Sequence, residues 1–248
     1  MVKHSFNSPH KIECSNGETY VVKSHGADKQ FANEILAHVL GQALGVPMPP
    51  AALVTIDDSF RAASPAAAAK YAAGTHFGSM FLLKSWTFDN PAPGLARSEI
   101  RNIDALYGLV AFDEAIANGD RRPNKGNNLV VQVADASPRY EYLAIDHGHV
   151  LTGPNWNPPG LGAYPLTPIV PVFKFLETCL VSLPQLQTAA QNVADFAGGV
   201  ATLVNSSQAD LNQDERDAVI LFLQGRAAQL PAWVQGPRYQ AVLQALQP

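Results

Sequence analysis

A chain of 248 residues that is 47% hydrophobic and 15% charged, with a formal net charge of −4, can bury roughly 70 to 75 per cent of the surface its unfolded form exposes, as one domain or as two lobes. That composition excludes wholesale disorder, and no apolar run approaches the roughly 18 residues needed to cross a bilayer. Without a Lys/Arg run to offset phosphate charge, neither nucleic acid nor membrane is expected as a direct partner. The opening MVKHSFNSPHKIE carries no apolar signal stretch, so cytoplasmic residence is the expectation. Cys14 and Cys179 form neither a CxxC nor a disulfide pattern, which makes them unpaired thiols.

In chain order, Lys11 to Ser15 and Thr19 to Lys23 read as a hairpin about the turn pair Asn16-Gly17. The spacing of Leu36, Val39, Leu40, Ala43 and Leu44 predicts a helix from Gln30 to Leu44, ended by Gly45 with Pro47 beyond. Ala51 to Ile56 reads as a strand and Met80 to Lys84 as a further one, while the alanine-rich stretch Ala62 to Gly74 fits a short helix or a loop. Pro and Gly density from Phe88 to Gly94 marks a connection, hence a small β-rich lobe over residues 1–87 and a larger, mainly helical lobe over 88–248. Ile100, Ile103, Leu106, Tyr107 and Val110 recur at helical spacing, with Asn118-Gly119 as the stop. After a central hairpin, Thr152 to Thr167 is Pro/Gly-rich loop. Helices are then expected at Val172 to Ser182, Pro184 to Phe196, Gln213 to Gln229 and Tyr239 to Gln247. Asn212 with Glu215 has the form of a capping box.

The central hairpin carries the chemistry. Asn128 to Val133 and Tyr140 to Ile145 are rich in Val, Leu, Ile and Tyr, and ADASPR between them is turn chemistry. Folding about Ala136 and Ser137 sets Asn128 opposite Ile145, so Asn128 and Asp146 share the open end with Asp120 a short loop away. Two carboxylates about 4 Å apart repel by roughly 4 kcal/mol at an effective dielectric near 20, so such a cluster holds a cation or shares a proton. Hard oxygen ligands favour Mg²⁺ over zinc.

The segments GDRRPNKGNN and AIDHG resemble the catalytic and metal loops of atypical kinases, in which D-R-x-x-x-N precedes a strand and I-D-x-G follows it. Upstream, TYVVK ending at Lys23, then Asn33-Glu34, then LGVPMPP stand in the order found in HipA-like kinases, a family related to phosphoinositide kinases. The resemblance implies an α+β, two-lobed protein-kinase-like fold that uses ATP and Mg²⁺. In it, Lys23 neutralises the α- and β-phosphates and Glu34 holds its ammonium. Asp120 is the base that orients and deprotonates an acceptor hydroxyl, braced by Arg121. Asp146 bridges Mg²⁺ to the phosphates with an asparagine of the catalytic loop. The turn Ser5-Phe6-Asn7-Ser8 covers the phosphates, with Ser5, Asn7 and Ser8 facing the nucleotide and Ser5 or Ser8 open to autophosphorylation. Adenine docks around Leu83 to Trp86, which brings Lys84 and Trp86 to the cofactor. The expected acceptor is a Ser or Thr of a protein substrate, with a cognate regulatory protein as a further partner.

Three departures from the family pattern stand out. Position 125 is lysine where the family carries asparagine; Asn128 directly precedes the strand LVV and is the preferred metal ligand, with Asn127 second and Asn124 also near. The phosphate-covering turn contains no glycine. The chain begins only a few residues before that turn, so the antitoxin and DNA partnership of full-length HipA toxins is not expected to carry over. Other readings keep a lipid or small molecule as acceptor, or a nucleotide-binding pseudokinase scaffold. On a helical wheel Glu34 lies opposite the apolar stripe, which suits a solvent-facing carboxylate, although Ala37 and Gly41 on its side permit close approach of another element. Asp146-His147-Gly148-His149 also allows a zinc hydrolase using His147 and His149 with Asp120.

Overall fold

In the computed structural model the described residues are 10–24, 28–87, 97–121, 128–169 and 182–245. The opening hairpin forms as its turn pair predicts: β1 (His10–Glu13) and β2 (Thr19–Val22) pair antiparallel, and Gly17 takes the left-handed φ of 82° that a side chain resists. β3 (Ala51–Ile56) and β4 (Gly74–Met80) complete a four-stranded antiparallel sheet ordered β1-β2-β4-β3. Two short helices, α2 (Asp58–Ala63) and α3 (Pro65–Lys70), make the crossover between them. Each starts on a capping side chain, Asp57 and Ser64 respectively, and Pro65 opens α3. This settles the ambiguous alanine-rich stretch as helix. On one sheet face Ile12, Tyr20, Val22, Val54 and Ile56 pack with Ala67 and Tyr71 of that crossover.

The long helix α1 (Gln30–Ala43) joins a different and larger core, in which Ile35, Leu36 and Leu40 pack with Phe77 of the sheet and with the helical part of the chain. α1 therefore belongs to both halves of the molecule, and this decides the position of the site. The expected strand from Met80 to Lys84 is displaced. β4 ends at Met80, Lys84 takes a left-handed φ of 53° that no strand continues through, and a new strand β5 (Ser85–Thr87) joins a second sheet ordered β5-β6-β7. β6 (Leu129–Val133) and β7 (Tyr140–Ala144) are the central hairpin, with Leu129 opposite Ala144. Ile145 N–H donates to Asn128 C=O at 3.0 Å, so Asn128 does lie opposite Ile145.

The helical part is built on α4 (Ala105–Ala115), which starts later than the sequence spacing suggests because Arg97–Glu99 forms a 3₁₀ turn instead. Its stop also comes earlier than Asn118-Gly119. Ala117 is left-handed at φ 53°, its N–H donates to Glu114 C=O, and the Asn118 N–H donates to Asp113 C=O, which is the Schellman pattern with alanine in the usual glycine place. The Pro/Gly-rich loop after the hairpin contains a short helix α5 (Pro158–Ala163) capped by Asn157. Then follow α6 (Leu183–Asp195), α7 (Val200–Ser206), α8 (Gln213–Gln235) and α9 (Pro237–Ala245). α7 has no counterpart in the sequence reading. The expected connection at 88–94 and nearly all of the expected helix at 172–182 lie outside the described residues; Ser182 caps α6. No described helix is long and apolar enough to cross a membrane.

α8 begins with the predicted capping box: Asn212 Oδ1 accepts from Glu215 N–H and Glu215 Oε2 accepts from Asn212 N–H, both at 3.0 Å. Because α8 packs against α4, α5, α6 and α7, its first turn bears on the whole lower core. Asn212→Ala is expected to lower the unfolding free energy by about 0.5 to 2 kcal/mol, measured as a shift of the urea midpoint with unchanged slope.

Candidate active site

Lys23 directly follows β2, and its backbone N–H remains tied to Phe77 C=O of β4. Glu34 lies on the first turns of α1 and is buried at 4% exposure, so the inward orientation holds. Gly41, one face down, is what lets α1 approach Met48 closely. Lys23 Nζ reaches Glu34 Oε1 and Asp146 Oδ1, each at 2.5 Å. The other oxygen of Glu34 accepts from the His147 backbone N–H at 3.1 Å. One carboxylate thus holds both the lysine and the segment that carries Asp146.

Electrostatics follow from this sharing. Burial alone would lower the pKa of the Lys23 ammonium, but the Glu34 and Asp146 carboxylates outweigh it and raise the value above that of an ordinary lysine. Burial pushes the Asp146 carboxyl up, yet the Lys23 charge and hydrogen bond pull it below its usual range. Both groups are charged at neutral pH.

The open end of the hairpin is shaped by two residues in left-handed conformation, Asn128 (φ 47°) and Asp146 (φ 60°). Asn and Asp tolerate that region better than other side-chain-bearing residues, and the bend turns both side chains off the strand alternation. Arg121 closes this end from below. Fully buried, it donates to the Asn128 C=O, to Asp113 Oδ2 at 2.5 Å and, through Nη2, to His147 Nε2 at 2.9 Å. Burial, with the Arg121 charge beside it, holds the His147 imidazole well below its usual pKa, so the ring is neutral and its Nε2 accepts. Asn118, also buried, donates to Asp113 Oδ1 and accepts the Asp120 N–H at 3.2 Å. It fixes the backbone of the candidate base immediately before Arg121.

Asn33, next to Glu34, does comparable work for the loop beyond Asp146. Its Nδ2 donates to the carbonyls of Gly148, Val150 and Gly153 at 2.8, 3.1 and 3.3 Å, and its Oδ1 accepts from Trp156 Nε1 at 2.8 Å. The sequence marks Asn33 only as part of the Asn33-Glu34 motif and gives Asn118 and Asp113 no part in holding the site, although two adjacent acids in the apolar run of α4 are a readable sign that buried charges there need partners.

Lys23, Glu34 and Asp146 line one end of a cavity of about 300 Å³, whose walls include Val21, Met48, Phe77 and Trp86. Trp86 is 40% exposed at the mouth and meets Tyr140 edge-on. Lys84 does not line this cavity. Its ammonium pairs instead with Asp135 at 2.6 Å on the surface. Leu83 is 76% exposed. Ser5, Asn7, Ser8, Asn124 and Asn127 lie outside the described residues. The zinc alternative fails on geometry, since His147 is buried with Nε2 engaged by Arg121 while His149 faces solvent.

The groups suited to a cation are the Asp146 carboxylate, 39% exposed, and the Asn128 amide, whose Nδ2 is buried without a hydrogen-bond partner. An amide with an idle donor gives nothing up by turning its oxygen outward. One carboxylate plus one amide oxygen is the partial set that Mg²⁺ accepts when phosphate and water complete its shell.

A small antiparallel sheet over a helical body, with a cleft that gathers lysine, glutamate and aspartate, defines a kinase-like protein. The chain belongs to the HipA-like kinase family, whose profile matches residues 1–152. No curated protein matches it. Among solved structures, the crystal structure of the Helicobacter pylori proinflammatory kinase CtkA is similar in fold, with a TM-score of 0.60 at 11% identity over 98% of each chain. The HipA of Shewanella oneidensis MR-1, in a complex of the toxin–antitoxin system HipA, HipB and operator DNA, gives a TM-score of 0.46 at 11% identity over 95% of this chain and 66% of that one.

The shared ammonium has a pH signature. Lys23 is raised, so its contribution is complete below the ordinary lysine value of 10.5 and is lost only as pH climbs through the higher folded value. Asp146 is depressed, so its contribution is present above 3.8 and fades as pH falls below that. The stability difference between wild type and Lys23→Met is therefore expected to be level from roughly pH 6 to 9 and to narrow below about pH 4. Urea titrations across that range measure it.

Proposed function

We propose that this HipA-like kinase is an ATP- and Mg²⁺-dependent phosphotransferase acting on a protein Ser or Thr hydroxyl in the cytoplasm. Residues 1–87 form the nucleotide-facing lobe and residues 88–248 the catalytic lobe of one kinase domain. What carries the reading is the Lys23 ammonium held between Glu34 and Asp146 at the end of a cavity with apolar walls. Such a cavity suits a flat base at its mouth and a polyphosphate at its charged end.

Lys23 neutralises phosphate oxygens, and Glu34 prevents the ammonium from following them out of position. Asp146 and Asn128 would hold Mg²⁺, which would supply charge neutralisation at the transferring phosphoryl group. Asp120 accepts the hydroxyl proton as the acceptor oxygen bonds the γ-phosphorus, and the bond from that phosphorus to the bridging oxygen breaks to release ADP. Arg121 keeps the Asp120 loop, Asn128 and His147 in one register. Trp86 serves as a wall for the base. Ser5 or Ser8 is the proposed site of self-modification.

The test is incubation with Mg·[γ-³²P]ATP, followed by separation of protein, lipid and small-molecule fractions and by intact mass of the enzyme. Wild type should label protein, itself included, while Asp120→Asn and Asp146→Ala lower the rate by about 10²-fold or more. Label confined to lipid or metabolite would replace the acceptor class. A wild type that neither hydrolyses nor transfers would remove the proposal.

A further inference from the structure

We propose that Lys29 and Glu215 form a latch that positions α1 for phosphoryl transfer, so that the start of α8 controls the aim of Glu34. The inference rests on the phosphotransferase reading above and adds two positioning residues that touch neither nucleotide nor acceptor.

Lys29 occupies the N-cap of α1, where no side chain caps the helix. A cation is electrostatically misplaced there, because the helix macrodipole presents its positive end. Its Nζ is answered by Glu215 Oε1 at 2.5 Å, across 186 positions of sequence, and stands 5.5 Å from the centre of the Trp156 ring. The pair is sheltered, at 27% and 15% side-chain exposure, so solvent screens it less than an open surface pair. Glu215 is itself fixed, since its other oxygen belongs to the capping box of α8. The backbone of Lys29 is engaged too: its N–H donates to Pro154 C=O at 2.7 Å, and its C=O accepts the Asn33 N–H at 2.9 Å.

These contacts converge on one task. Glu34 stands five residues past Lys29 and must keep one oxygen on Lys23 and the other on the His147 N–H. Glu34 reaches the helical part of the chain only if the first turns of α1 stay against it. Asn33 with Trp156 holds the second turn from the loop side, and Lys29 with Glu215 holds the first from α8. Releasing the latch lets the N-terminal end of α1 lift and loosens the Lys23–Glu34–His147 chain without removing any group from the cavity. The loss then falls on the turnover step rather than on nucleotide affinity.

The experiment compares wild type, Lys29→Gln, Glu215→Gln, their double variant and Lys29→Arg, with Asp58→Asn as a control that breaks an exposed ion pair. Gln at 215 can still close the capping box, so that variant carries the test should Lys29→Gln unfold. Expected is a kcat about tenfold lower in each Gln variant, equivalent to about 1.4 kcal/mol of barrier. KM for ATP should stay within about twofold, the double variant should be no worse than either single, and Lys29→Arg should recover most of the rate. Equal kcat in wild type and both Gln variants, or additive losses with no recovery by Arg, would overturn the latch. If wild type shows no transfer at all, the reading of function fails instead. The latch is then judged by amide exchange at 30–37, where faster exchange in Lys29→Gln supports it and unchanged exchange refutes it.

Discussion

One ammonium group shared by two carboxylates organises this molecule. Lys23 arrives from the sheet, Glu34 from α1 and Asp146 from the end of the central hairpin, so their contact fixes the relative placement of three elements that no stretch of local sequence joins. Lys23 and Asp146 each support the charge of the other. Burial alone would lower the pKa of the Lys23 ammonium and raise that of the Asp146 carboxyl; their mutual attraction reverses both. Glu34 is enclosed and Asp146 is more open, so an incoming anion can displace the second partner and leave the first in place. In the proposed mechanism, phosphate takes the place of Asp146 at Lys23 and leaves Asp146 for the cation.

Beneath this triad the helical part supplies a second layer of buried charge. Asp113 and Glu114 are neighbours on α4, and each meets its own fully buried arginine. Asp113 pairs with Arg121 and thereby holds the Asp120 loop, His147 and the Asn128 carbonyl. Glu114 pairs with Arg226 of α8 at 2.9 Å and also accepts from the Tyr239 hydroxyl and the Ile169 N–H. Such pairs are weak sources of net stability because desolvation offsets most of the attraction. Their contribution is geometric, since every guanidinium nitrogen of both arginines is engaged and alternative packings would leave a charge bare. α4 is therefore the reference against which both the segment at Asp120-Arg121 and α8 are set.

Much of this was legible wherever local chemistry decides structure. Asn16-Gly17 specified its hairpin, Ala51 to Ile56 its strand, Asn212 with Glu215 its capping box, and the turn at ADASPR set the register that puts Asn128 opposite Ile145. The order of the lysine, Asn-Glu, D-R and I-D-x-G motifs carried the family and the kinase-like fold. What stayed hidden depended on tertiary contact. Helical periodicity left Glu34 open between solvent and interior, because a wheel weighs polarity and cannot see that an ammonium waits on that side. Lys84 read as part of a nucleotide-facing strand, whereas a left-handed backbone at that residue turns it outward to Asp135. The end of α4 was misjudged because alanine, not glycine, takes the left-handed position there.

In the proposed mechanism, Asp146 and Asn128 receive the cation that accompanies a nucleotide whose phosphates meet Lys23. Electron paramagnetic resonance with Mn²⁺ in place of Mg²⁺ addresses this directly. Wild-type protein is expected to broaden the Mn²⁺ signal in the presence of ATP, and Asp146→Ala to abolish the broadening. Mn²⁺ that remains as mobile with wild type and ATP as without protein, or that is held equally well by Asp146→Ala, would contradict it.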